Sequence, residues 1–392
     1  MEINKQCAAY CIDVIRAVMQ EKQVPPFPET VTLPELYGFA QMHSVESLVF
    51  HGLEQLPMDS ADPIWQDWET RAGMLMTQSI VQLAERDLLL AMLPAAGVPL
   101  LPVKGCWLKE QYPDIDYRQM SDLDMLIPEK ESLRAREVMQ HLGYTFIEES
   151  GEHHDSYAKP PYMGIELHLS LLPEDDEHTP YYKDVWQRAE AAEGYPGVFR
   201  MKTEDEYIFY LVHLYKHMVF AGMGIRSFLD CVVFWKTYPE MDREYLNAEF
   251  KKLGLLNFAS RVEQIAHCWF ESGEPLPDEM LPMAHSILTA GTYGTEDRIF
   301  KNELQQLQGK FQNPLLLKMA HLLRCLFLPL KAMQELYPFL KKAPVLLPVF
   351  WIWRLISRCI FKPKALISLV KQTNEEGDKI WSEYNWREFQ SK

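Results

Sequence analysis

The sequence predicts an α+β fold, a small mixed α/β core embedded in a largely α-helical protein. Three observations predict it. Apolar residues recur at helical spacing through most of the first 93 positions. Between 95 and 172 the pattern changes to short apolar runs bounded by Gly and Pro. From Tyr181 onward the helical period returns.

The elements follow in order. Cys7–Val18, Leu36–Leu56 and Ile64–Leu93 read as helices, the first two separated by the Pro-rich piece 25–28, and the third stopped near Pro94 and Gly97. Val98–Val103 reads as a strand, Gly105–Tyr112 as a helix, and Leu123–Ile127 as a second strand ended by Pro128. Glu129–Leu142 reads as a helix closed by Gly143. Tyr144–Glu148, Ser156–Lys159 and Met163–Leu169 supply three more strands. Helices follow at Asp205–Phe220, Ser227–Thr237, Leu246–Leu253, Phe258–Phe270 and Met280–Thr289. Four regions result: a helical 1–94, an α/β core 95–175, a second helical region 176–310, and a basic, apolar helical region 311–392. No fixed-period repeat occurs.

Composition narrows the function classes. The 392 residues carry 47 aromatic side chains, too many for a disordered chain. The net charge is −16, but residues 310–371 hold eleven Lys or Arg against one acid, Glu335. A strongly acidic body argues against broad nucleic-acid binding. Seven cysteines without a CxxC pair read as reduced thiols of a cytoplasmic protein. The N-terminus, with Glu2 and Asp13 and no small-residue cleavage site, reads as a helix rather than a signal peptide. No run of about 18 uncharged apolar residues occurs, so a spanning helix is not expected. Pro344–Trp353 is apolar but short and interrupted by Pro, and Lys341, Lys342, Arg354, Arg358, Lys362 and Lys364 flank it. This composition suits a peripheral membrane contact through 341–364, or a helix buried against the acidic body.

The most informative segment is Lys104-Gly105 followed by Ser121-Asp122-Leu123-Asp124. Strand residues i and i+2 share a face, so Asp122 and Asp124 project side by side while Leu123 and Met125 point into a core. Adjacent carboxylates repel unless a cation lies between them, and Mg²⁺ suits one or two carboxylates plus a substrate phosphate. Ile165-Glu166-Leu167-His168 alternates in the same way. With its strand beside that of Asp122, three carboxylates would hold two metal ions ~4 Å apart.

The flanking residues have two readings each. Lys104 and Arg118 would neutralise phosphate or pair with local acids. His168 would orient Glu166 or move a proton. His213 and His217 have zinc-pair spacing but no intervening Glu and no third ligand, so they read as substrate contacts from a helix or as packed or solvated residues. Gly222-Met223-Gly224 reads as a tight turn. Arg226 either pairs with Asp230 four residues on or points into a cleft. His153-His154-Asp155, beside Gly151, reads as a solvated loop.

Val103-Lys104-Gly105 with Arg118, Asp122-Leu123-Asp124 and Glu166-Leu167-His168 resembles a bacterial group of uncharacterised nucleotidyltransferases in the DNA polymerase beta-like superfamily. His213–His217 through Asp230 is similar to that group's helical half. The resemblance implies that 95–175 is a nucleotidyltransferase core and that 176–310 completes its cleft. It implies transfer of a nucleoside monophosphate from a nucleoside triphosphate such as ATP to a hydroxyl or amine, with two Mg²⁺, or Mn²⁺ in their place. Asp122, Asp124 and Glu166 would be the metal ligands and catalytic residues. Lys104, Gly105, Cys106, Arg118, His168, His217 and Arg226 would meet the nucleotide. Gly105 would let the backbone approach the triphosphate. Cys106 departs from the usual Gly-Ser or Gly-Gly turn, and a thiol is a weak donor. A small cationic acceptor fits the acidic body. A protein or tRNA acceptor, as in toxin–antitoxin nucleotidyltransferases, and a scaffold that binds without turnover are the alternatives.

Overall fold

A computed structural model of the chain describes residues 4–149, 153–292, 313–361 and 363–379, together with Phe300, Glu303, Leu304, Leu307 and Phe311. Glu2, Gly151, Lys310 and Lys362 lie outside the described residues. Two compact units divide the chain near residue 293, the second also taking 219–222.

The first unit is mixed α+β, as the pattern predicts. Its N-terminal helices start where side chains satisfy the free backbone N–H groups. Asn4 caps α1 (Lys5–Met19), Thr32 and Glu35 form a capping box on α2 (Leu33–Met42), and Asp62 caps the long α4 (Pro63–Ala95). The single helix expected over Leu36–Leu56 is two, α2 and α3 (Glu46–Leu53), because Ser44 adopts φ +52° between them. The helix α4 ends at Ala95, as expected near Pro94, which sits inside its last turn.

A five-stranded sheet follows, built from β1 (Leu101–Pro102), β2 (Leu123–Leu126), β3 (Thr145–Glu149), β4 (His154–Lys159) and β5 (Met163–His168) in the order β1-β2-β5-β4-β3. The pair β2–β5 is parallel and its neighbours are antiparallel. A parallel pair needs a crossover; α6 (Ser132–His141) and the β3–β4 hairpin supply it. The short α5 (Gly105–Leu108) joins β1 to β2. Leu123, Met125, Ile165 and Leu167 face the core with Leu89, Leu93 and Met139. The alternate residues are thereby turned the other way, toward the site. A short α7 (Val185–Arg188) and a two-stranded ribbon lead to α8 (Thr203–Phe220), α9 (Ile225–Thr237), α10 (Arg243–Lys252), α11 (Leu256–His267) and α12 (Leu281–Ala290).

The second unit holds helices Pro314–Leu326, Leu330–Leu336, Leu347–Phe361 and Pro363–Lys379, and a small core in which Leu304 and Leu307 pack with Leu317 of the first of them. The apolar stretch does not end at Trp353. Pro348 falls in the first helical turn, where its missing N–H costs little, so the helix runs on to Phe361. By length and composition alone Pro344–Phe361 is apolar enough to cross a membrane, and most of it is exposed.

Candidate active site

The parallel register sets the centre of the site. Asp124 lies directly beside Glu166, and Leu126 beside His168. Asp124 Oδ1 accepts hydrogen bonds from Lys104 Nζ at 2.7 Å and His168 Nε2 at 2.8 Å. Glu166 Oε2 stands 3.4 Å from the same His168 nitrogen. Both bonds to Asp124 land on one oxygen; among the described residues Oδ2 has no partner.

Asp122 stands just before β2, and its Oδ1 accepts from Ser121 Oγ at 2.9 Å. Its proximity to β5 depends on Gly164, where a Cβ would meet the Ser121 carbonyl at 3.3 Å. Burial raises the Asp122 carboxyl to about 6, and the charges of Asp124 and Glu166 push the same way. Asp124 behaves oppositely. Burial opposes its charge, but Lys104 and His168 outweigh burial and hold it well below the carboxylate range. Glu166 is lowered, chiefly by the His168 hydrogen bond. Lys104 is largely withdrawn from solvent, which disfavours its ammonium, yet Asp124, Asp122 and Glu166 raise its pKa. Lys104 is also one of few non-glycine residues with positive φ, +54°, which directs the turn into α5.

Helix α8 brings a second wall. His213 and His217 lie with their Nε2 atoms 3.0 Å apart. Both pKa values are pushed down, by burial first and then by Lys104, with Asp124 opposing; His217 falls to about 4. Lys216, on the same helix, is half-buried; burial first, with Lys104, lowers its pKa against the pull of Asp176, Asp175 and Glu166. Among the described residues it forms no ion pair.

Several expected nucleotide contacts are placed elsewhere. The position a Gly105 Cβ would take is filled by Met120 Sδ at 2.2 Å and Arg118 Nη1 at 2.3 Å, so this glycine admits protein, not phosphate. Cys106 is 1% exposed. Its Sγ donates to the Asp124 carbonyl at 3.3 Å, and burial pushes the thiol up to about 12. The thiol therefore faces the core. Arg118 is buried and forked onto Asp230, Nε to Oδ1 at 2.8 Å and Nη2 to Oδ2 at 2.9 Å. Asp230 also accepts from Tyr112 at 2.6 Å and Tyr210 at 3.2 Å. That leaves no pairing of Arg226 with Asp230; Arg226 Nη1 donates to the Gln119 carbonyl instead. His153-His154-Asp155 is no solvated loop either, because His154 and Asp155 belong to β4 and His154 pairs across from His168.

The arrangement gathers Lys104, Asp122, Asp124, Glu166 and His168, with His213, Lys216 and His217 acting on the same charges. Sequence reasoning passed over His154 and Lys216 as site residues. The signal for His154 was its even spacing from Ser156 within one strand. Lys216 sits among polar helix positions, and periodicity does not say which of them face a site.

The model of a family described as an uncharacterised nucleotidyltransferase matches residues 29–271, more than half of the chain. The chain belongs to that nucleotidyltransferase family. No curated protein and no solved structure matches it. The match runs from just before α2 to just beyond α11, so the family covers the sheet, the acidic strands and α8–α9 together. Apart from 219–222, the second unit lies outside it.

Proposed function

We propose that this nucleotidyltransferase transfers a nucleoside monophosphate from a nucleoside triphosphate to a hydroxyl or amine, with Asp122, Asp124 and Glu166 as ligands to divalent cations. The observation that carries the reading is the lateral register of Asp124 and Glu166, with Asp122 close enough that their charges raise its pKa. The donor set fits Mg²⁺ or Mn²⁺, which prefer carboxylate oxygens, and Asp124 Oδ2 has no competing partner among the described residues. Bound there, the cations would neutralise the triphosphate and lower the charge barrier to attack.

The chain's own groups then have definite tasks. The acceptor oxygen or nitrogen attacks the α-phosphorus, the bond to the bridging oxygen breaks, and pyrophosphate leaves. Glu166 takes the acceptor proton, and His168 holds Glu166 and Asp124 in place. Lys104 pairs with Asp124 until a triphosphate offers it a second anion. Lys216 and His217 reach the nucleotide or acceptor from α8. A small acceptor is favoured over protein or tRNA because the body of the chain is acidic. The case for a non-catalytic scaffold rested on Cys106, whose thiol points into the core. Incubation with α-labelled triphosphates, Mg²⁺ and cell extract tests the reading. Label should move to an acceptor and should not move with Asp124→Asn; equal transfer by both proteins would remove the assignment.

We also propose a lipid contact through 341–364. Val349, Ile352, Trp353, Ile356 and Ile360 recur at helical spacing and are 48% to 64% exposed. Residues between them are tied inward, Trp351 Nε1 to the Leu328 carbonyl at 2.7 Å and Arg354 Nη1 to Leu326 at 2.8 Å. An outward apolar stripe flanked by Lys341, Lys342, Arg358 and Lys364 complements an anionic bilayer surface. Full-length protein should co-sediment with phosphatidylglycerol vesicles, and an Ile352→Glu/Ile356→Glu variant should not. Equal sedimentation of the two, or none, would remove the contact.

A further inference from the structure

We infer that His153, His154 and His168 form a binding site for a transition-metal cation, with Zn²⁺ the best fit, distinct in donor chemistry from the carboxylate cation site. Each of the three imidazoles offers a nitrogen within 4.8 Å of the other two. His154 lies directly across from His168 in the antiparallel β4–β5 pair, and His153 immediately precedes β4. The Nδ1 of His154 is 3.1 Å from the Nε2 of His153. Two ring nitrogens at that distance share one proton, or both direct lone pairs at a common cation.

His168 supplies the second observation. The ring is 5% exposed, and its Nε2 donates to Asp124 Oδ1 at 2.8 Å. Its Nδ1 is buried and has no hydrogen-bond partner among the described residues; in the neutral ring that metal binding requires, this atom carries the lone pair. A buried acceptor without a partner is costly, and a metal ion satisfies it. The Asp124–His168 bond then has the form in which a carboxylate fixes the tautomer and raises the basicity of a ligating imidazole.

The donors choose the metal. Imidazole suits Zn²⁺, Cu²⁺, Fe²⁺ and Ni²⁺, whereas Mg²⁺ seeks oxygen and resists losing its waters. Three protein ligands leave a fourth tetrahedral position open for an exchangeable ligand. Glu166 Oε1 lies 3.8 Å from His154 Nε2, on the side of that ring away from the nitrogen facing His153. The cluster therefore links the carboxylate centre to the β4 edge through one shared residue, His168.

The test uses the full-length protein with its affinity tag removed, stripped by chelation and dialysed against ZnCl₂. One Zn²⁺ per chain should remain by elemental analysis, and His153→Ala/His154→Ala should lose at least ~10-fold in Zn²⁺ affinity. Asp122→Asn should keep the Zn²⁺ while losing nucleotidyl transfer, so failure of this site and failure of the transfer reading are separable. Absence of stoichiometric Zn²⁺ in the wild-type protein, or unchanged affinity in the double variant, would overturn the site. Should the double variant unfold, Cu²⁺ on the wild-type protein decides by electron paramagnetic resonance: couplings to several nitrogens uphold the site, and oxygen-only ligation overturns it.

Discussion

Arg118 and Asp230 meet through two parallel hydrogen bonds of 2.8 and 2.9 Å, although 112 positions separate them in the chain. The arginine stands in the loop that leads into β2, and the aspartate lies on α9. The pair is buried and is joined by Tyr112 and Tyr210. It fixes the acidic strand to the helical half of the same unit.

Breaking this pair should be expensive, because the remaining charge would stay buried. Asp230→Asn is expected to lower unfolding free energy by about 3–5 kcal/mol. Arg118→Lys keeps the charge but loses the fork and should cost less. Urea denaturation of both variants measures the difference.

Gly105 should resist even one added carbon. A Cβ there would lie 2.2 Å from Met120 Sδ and 2.3 Å from Arg118 Nη1. Gly105→Ala is expected to cost about 1–3 kcal/mol through overpacking, read as a fall in the denaturation midpoint. Unchanged stability would mean that Met120 and Arg118 can move aside freely.

Asp124→Asn should reduce pyrophosphate release by about 100-fold or more, the scale seen when one preorganised electrostatic group is lost. Asp114→Asn, in an exposed loop, serves as the control and should stay within two-fold.

His51 should give the fold a measurable pH dependence. Its Nε2 donates to buried Asp116 at 3.0 Å and its Nδ1 to Glu54 at 2.7 Å. The hydrogen bond to Asp116 is the main cause that pushes its pKa up to about 9, with burial opposing. A raised pKa stabilises the folded state fully below the unfolded value near 6.5, and the contribution is lost as pH rises through about 9. Thermal melts of wild type and His51→Gln should therefore diverge at pH 6 and converge above pH 9. Solvent reaches this side chain, so salt should shrink the gap.

Thiol chemistry should follow burial. Cys106 is buried with its pKa pushed up to about 12, and Cys359 is exposed. Under native conditions Cys359 should alkylate first and Cys106 should stay protected until unfolding, as peptide mass mapping would report.

Much of this was readable from residue order. Alternation in Leu123–Met125 and Ile165–Leu167 told which side chains face the core, and that alone put Asp124 and Glu166 on the opposite face. Their lateral pairing was conditional, since alternation says nothing about which strands are neighbours. The fates of Arg118, Cys106 and Gly105 were not readable. Each depends on a contact across space, with Asp230, the Asp124 carbonyl and Met120 respectively, and short motifs carry no record of such partners. The break at Ser44 was hidden for a different reason: a serine at positive φ leaves no compositional mark, as a glycine would.

The parallel β2–β5 pairing also governs when the site comes into being. Asp122 and Asp124 are made well before Glu166, and α6 with a complete hairpin must be synthesised and folded between them. Until β5 docks, the two aspartates have neither their third carboxylate nor His168. A nascent or truncated chain that ends before residue 163 would thus hold the most recognisable motif of the sequence and have no centre at all. β5 lies between β2 and β4, so the three carboxylates come together only once that strand is in place.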